Sequence, residues 1–150
     1  FCTGQEQYDE AATMTPGREV VSHPLPWGVL RLGICYDLRF PELFRLGPAP
    51  DFIALPAAFT HTTGLAHWAL LLRARAVENL AFVFASAQGG HHPGGRRTFG
   101  HSMIIDPWGR ILAQVEEGQG MAIATLDLAA QRTVRSQLPA LTHRKIAVGP

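Results

Sequence analysis

The chain has 150 residues, 47% of them hydrophobic and 17% charged, which fits one globular domain able to bury a core and excludes a disordered chain. A formal net charge of +1 with neutral histidines gives no broad basic field for nucleic acid. No apolar run approaches the ~20 residues of a membrane span, and no charged-then-apolar secretory leader is visible.

Two cysteines, Cys2 and Cys35, do not suggest a secreted disulfide framework, so a reduced, cytoplasmic setting is expected. The chain opens on Phe1 rather than Met, as a fragment or processed chain would. Its one lysine, Lys145, stands against twelve arginines, a bias that matters for any chemistry needing an amine.

Residues 1–19 are polar and turn-rich and read as a loop. A short extended segment is expected over 20–25, ended by Pro24 and Pro26. Residues 29–35 read as a buried strand, short, mostly apolar and followed by turn chemistry. Pro41 suits the first turn of a helix that Gly47-Pro48 stops. Residues 51–56 form a second buried strand. After a loop through Gly64, helix signals run from 66 to 79, with Trp68, Leu71, Leu72 and Arg75 at helical spacing and Arg75 and Glu78 as an i,i+3 pair. Residues 81–87 are a third strand, and 89–97 ("GGHHPGGRR") a loop. Residues 100–105 and 110–115 flank a tight "DPWG" turn as a hairpin. A turn at 116–120 leads to a last strand over 121–126, and Asp127 is placed to cap a helix over 128–135. Helices alternating with strands, then a hairpin meander, predict an α/β domain with a mixed sheet.

In such sheets chemistry gathers at the carboxyl ends of strands. Cys35, the stretch Pro56–Ala57–Ala58–Phe59 and the stretch Ser86–Ala87–Gln88 all fall there. A nucleophilic cysteine must be a thiolate, and the start of a helix lowers its pKa. The Tyr36 backbone N–H would then face a developing oxyanion. A small buried hydrophobe explains Cys35 equally well at this level. His23, His61, His67, His91, His92, His101 and His143 allow a Cys–His dyad in principle. Their spacing is not that of a metal site, and hydrogen-bonded or solvated histidines are the default. Arg39 and Glu42 could form an ordinary surface ion pair. Alternatively, Arg39 reaches into the mouth of a site and grips a carboxylate. Arg96-Arg97 reads as a solvated loop pair, and Trp27, Trp68 and Trp108 as packing residues. The Gly-rich loop lacks the context of a phosphate cradle.

Together, "GICYDLRFPEL", "LPAAFTHTTGLAHWALLLRARAVEN" and "RRTFGHSMIIDPWGRILA" resemble the carbon–nitrogen hydrolase (nitrilase) superfamily. The likeness is to its amidases acting on deaminated glutathione and on ω-amides of 2-oxo acids, and runs from about Tyr8 to Arg144. It implies an α-β-β-α sandwich, with residues 1–150 as a single but incomplete domain whose N-terminal portion is missing. It also implies a thiol amidohydrolase using no cofactor and no metal, a small amide substrate carrying a carboxylate, and a homodimer of the full-length protein built near the nucleophile helix.

The resemblance makes Cys35 the nucleophile, Tyr36 the oxyanion N–H and Glu10 the second glutamate of the catalytic set. Arg39, Phe59 and Thr63 match positions that line the pocket and bind the substrate carboxylate, Ala57 and Ala58 match the loop after the next strand, and Glu78 matches a structural position. The family's first glutamate and its lysine have no matching position, since Lys145 lies at the wrong end. The stretch "FRLGPAPDF" is shorter than usual, and Ala69 replaces a polar residue. A thiol needs a base, and an amide leaving group needs a proton. The 150 residues alone are therefore expected to be inactive, and a catalytically silent module that binds a small ligand or dimerises is the alternative.

Overall fold

The apolar runs of the sequence become neighbouring strands of one sheet. A computed structural model describes residues 2–3, 6–7 and 12–145. In chain order the elements are β1 (Cys2–Thr3), β2 (Glu6–Gln7), β3 (Ser22–Leu25), β4 (Gly28–Leu32), a 3-10 turn (Cys35–Arg39), α1 (Pro41–Arg45), β5 (Phe52–Ala57), α2 (His61–Asn79), β6 (Phe82–Ala87), β7 (Gly89–His91), β8 (Arg97–Phe99), β9 (Ser102–Ile105), β10 (Ile111–Val115), α3 (Leu128–Gln137) and α4 (Ala140–His143). The main sheet has the order β10-β9-β6-β5-β4-β3. Its central strands β4, β5 and β6 are parallel, and antiparallel strands flank them on both sides. Parallel neighbours need crossovers, supplied here by the 3-10 turn with α1 and by α2.

Side-chain alternation separates the sheet into two faces. On one, Ile53, Leu55, Val83, Ala85, Met103 and Ile105 are buried together with Leu38, Phe44, Trp68, Leu72 and Ala76 from the 3-10 turn, α1 and α2. On the other, Leu30, Ala54, Phe84 and Ile104 are only half-buried. Phe52 and Phe82 are buried on that second face near α3.

The arginine bias has a structural use. A guanidinium carries five N–H donors in a fork and can satisfy several carbonyls at once. Arg31, fully buried in β4, donates to the carbonyls of Leu43, Leu46 and Pro48 at 2.6, 2.6 and 2.9 Å, which ties off the end of α1. Burial pushes its pKa down. Arg135 of α3 donates to Leu80 O at 3.0 Å and pairs with Asp51, and Gln131 also donates to Leu80 O, at 3.1 Å. The C-terminal carbonyls of α2 thus receive side-chain donors from α3. A short ammonium could not make such forked contacts.

Several expectations are corrected. Helix α2 begins at His61, not 66, because the Thr60 side chain caps it and accepts the Thr63 N–H. The Gly-rich loop contains the β7–β8 hairpin, held where Phe99 N–H donates to Phe59 O at 3.0 Å. Packing there leaves no room for a side chain at Gly64, whose Cβ would collide with Phe99. Residues 1–19 hold a two-residue β1–β2 pairing. Residues 121–126 keep a strand-like alternation, with Met121 and Ile123 exposed, but they are not paired as a strand among the described residues. The buried strand at 29–35 ends at Leu32. Trp68 is buried, whereas Trp27 and Trp108 are mostly exposed on turns. Asp127 caps α3 by accepting the Ala130 N–H at 2.8 Å, and the DPWG turn closes with Gly109 N–H on Asp106 O at 2.9 Å, both as expected.

Candidate active site

Cys35 stands just beyond the carboxyl end of β4. The chain stays attached to the sheet through Gly33 N–H on Ala54 O, at 3.1 Å, and then turns sharply. Cys35 adopts φ +48°, a left-handed conformation uncommon for a residue with a side chain. Such strain persists only where surrounding contacts impose it. Those contacts are visible. Asp37 accepts Ile34 N–H through its carboxylate at 2.8 Å and returns its own N–H to Ile34 O at 3.0 Å, closing the turn. At the other end, Arg75 donates twice to Leu38 O, at 3.0 and 2.7 Å, while Glu78 pairs with it at 2.8 Å. Buried Arg75 therefore anchors the turn that carries Cys35, with Glu78 behind it. The Cys35 side chain is half-buried against the core and forms no disulfide among the described residues.

Arg39, at the end of that turn, points toward the strand ends. Its guanidinium carbon lies 5.1 Å from the centroid of Phe59 and 5.5 Å from that of Tyr36, within cation–π range. Its Nη1 is 3.3 Å from His67 Nδ1. It makes no ion pair with Glu42, and no described carboxylate lies within ion-pair distance. The surface-pair alternative for Arg39 and Glu42 is thereby set aside.

The end of β5 and the residues after it lie opposite, with the Phe59 ring under the Arg39 guanidinium. Ala57 is buried, and its carbonyl accepts Gln88 N–H at 2.9 Å. Ala58 is half-buried, and Phe59 packs its ring 4.9 Å from that of buried Trp68. Thr63, in the first turn of α2, is buried, with its hydroxyl 3.0 Å from that of Thr60. Tyr36, Arg39 and Phe59 thus come together directly. Thr63 shares no hydrogen bond with Arg39. Glu10 lies outside the described residues.

Three contributors leave no signal in the sequence. Arg96 is not a solvated partner of Arg97, for it is half-buried and donates to Ala58 O at 2.8 Å, bracing the stretch after β5. Arg97 instead faces Glu117 at 3.7 Å on the surface. In the sequence His67 is one histidine among seven, and Arg75 is half of a helical pair. A histidine or arginine aimed at a carbonyl or at another side chain leaves no local signal, because its partner is distant in sequence. Among the described residues, no group of three or more His, Cys, Asp or Glu could hold a metal ion, and no helix is long and apolar enough to cross a membrane.

Comparison with known proteins identifies the family and the fold. Residues 3–136 match the family model described as carbon-nitrogen hydrolase. A deaminated glutathione amidase of Synechocystis sp. is 49% identical over 141 residues, covering 91% of this chain and 52% of the relative. Saccharomyces cerevisiae Nit3, described as a member of branch 10 of the nitrilase superfamily, superposes with a TM-score of 0.84 at 34% identity, over 91% of this chain and 51% of that one. A mutant of the amidase from Nesterenkonia sp. AN1 superposes with a TM-score of 0.75 at 27% identity, over 93% of this chain and 51% of that one. That structure shows covalent addition of the acetamide moiety of fluoroacetamide at the active-site cysteine. The chain spans about half the length of the curated relatives it matches.

Proposed function

The chain belongs to the carbon–nitrogen hydrolase family, and on that premise we propose that it carries the nucleophile and one wall of the pocket of a thiol amidase. The observation that carries this reading is Cys35. It is held at φ +48° at the carboxyl end of a parallel strand, with Arg39 four residues on and unpaired with any described carboxylate. The substrate is a small ω-amide, or a deaminated-glutathione-like amide, that also bears a carboxylate.

The Cys35 thiolate attacks the amide carbonyl carbon, and the Tyr36 N–H stabilises the oxyanion that forms. The C–N bond breaks, ammonia or an amine leaves with a proton, and an acyl thioester remains on Sγ. Water then attacks the thioester, releasing the carboxylic acid and restoring the thiol. Arg39 binds the remote carboxylate, and Ala57, Ala58, Phe59 and Thr63 shape the acyl pocket. Glu10 is the supporting glutamate. The family's first glutamate and its lysine match no position in these 150 residues, so the proton steps need groups from elsewhere in the working enzyme. The 150 residues then form a single incomplete domain, inactive alone, and the whole enzyme works as a cytoplasmic homodimer.

The test is ammonia release from a 2-oxo-ω-amide by the full native protein containing this sequence. Turnover that falls at least about a thousandfold in Cys35→Ala is expected. Unchanged turnover in that variant would remove Cys35 from the chemistry. Binding of the amide without any turnover would favour the silent module motivated by the unmatched glutamate and lysine.

A further inference from the structure

We propose that His67 is a positioning residue that fixes the direction of the Arg39 guanidinium, and through it the preference of the site for amides that carry a carboxylate. This rests on the reading of Arg39 given above.

Arg39 is held by two aromatic rings and one hydrogen bond. Its side chain has several rotatable bonds, and the rings of Phe59 and Tyr36, 5.1 and 5.5 Å away, attract the cation without fixing which edge faces the site. Among the described residues, His67 Nδ1, 3.3 Å from Nη1, is the one hydrogen-bonding partner of that side chain. An arginine is always protonated and only donates, so Nδ1 must accept. His67 is then the neutral tautomer with its proton on Nε2.

Two consequences follow from that tautomer. His67 adds no charge and does not itself bind the anion. It also engages one N–H of the fork and so directs the others, leaving them for a carboxylate. No described carboxylate neutralises Arg39, so the cation remains available to an anionic ligand. His67 is exposed on α2, where a change of side chain removes no core contact.

The experiment compares an ω-amide bearing a carboxylate with a neutral amide of the same acyl length, using the full native protein. For His67→Leu, KM for the carboxylate-bearing amide should rise about tenfold, with kcat within about twofold and the neutral amide unaffected. His67→Asn puts Oδ1 where Nδ1 stood and should restore KM to within about threefold of the original. The Kd of glutarate, which needs no turnover, should move in parallel.

Equal changes for both amides in His67→Leu, or an Asn variant no better than Leu, would overturn the assignment. Arg39→Met separates the two levels. If it leaves the carboxylate preference intact, the reading of Arg39 fails and His67 has nothing to direct. If it removes the preference while His67→Leu keeps it, the inference about His67 alone fails.

Discussion

The two faces of the main sheet are built from the same strands and have different fates. The face under α2 is closed, with Trp68, Leu72, Ile53, Leu55, Val83 and Ile105 essentially inaccessible. The opposite face carries Leu30, Ala54 and Phe84 in a trough of about 350 Å³ bordered by Trp27, Leu126 and Leu128. Beside it run residues 121–126, not paired as a strand among the described residues, with Met121 and Ile123 exposed. Strands buried on both faces read as continuous apolar runs, whereas strands with one wet face alternate. These strands read as continuous runs, so their composition is that of a sheet covered twice. The closed face positions the turn that carries Cys35. The open face has the composition of an inner layer, in keeping with the sandwich of the family.

That contrast can be broken by unfolding measurements on the 150-residue chain. The largest effect is expected at Trp68, which fills the core and donates its indole N–H to His101 O at 2.8 Å. Trp68→Ala should cost about 3–5 kcal/mol in urea denaturation. Next comes Arg31→Met, on the same face, which leaves the carbonyls of Leu43, Leu46 and Pro48 without their donor and should cost about 2–3 kcal/mol. The smallest effect is expected at Phe84→Ala on the open face, about 1–2 kcal/mol, because that ring is only half-buried and gives up less covered surface than Trp68. A Phe84 cost equal to that of Trp68 would mean the second face is covered in solution. In a longer native protein the same substitution should cost more, and an unchanged cost would argue that nothing packs there.

The sequence made the central architecture legible. The apolar runs of β4, β5 and β6, the helical spacing through Trp68, Leu72 and Arg75, the DPWG turn and the Asp127 cap all stand close to where their residues place them. What stayed hidden depends on distant partners. Thr60, a standard capping residue, precedes Thr62, Thr63 and Gly64, whose weak helix propensity hides the true start of α2. The β7–β8 hairpin depends on Phe99 seating over Gly64, and its glycines suggest only a loop. Arg31 interrupts an apolar strand, and nothing nearby reveals that its partners are carbonyls 12 to 17 residues away. At the site, the motif around Cys35 and Arg39 was visible. The clamp by Arg75, the brace by Arg96 and the contact with His67 needed the fold.

The most direct test is to trap the acyl-enzyme. The full native protein is mixed with a slow amide substrate, quenched in acid and mapped by peptide mass spectrometry. The account predicts one acyl thioester adduct, on the peptide containing Cys35, with none on Cys2 and none in Cys35→Ala. An adduct elsewhere with Cys35 unmodified during turnover would contradict the claim that the turn after β4 presents the nucleophile.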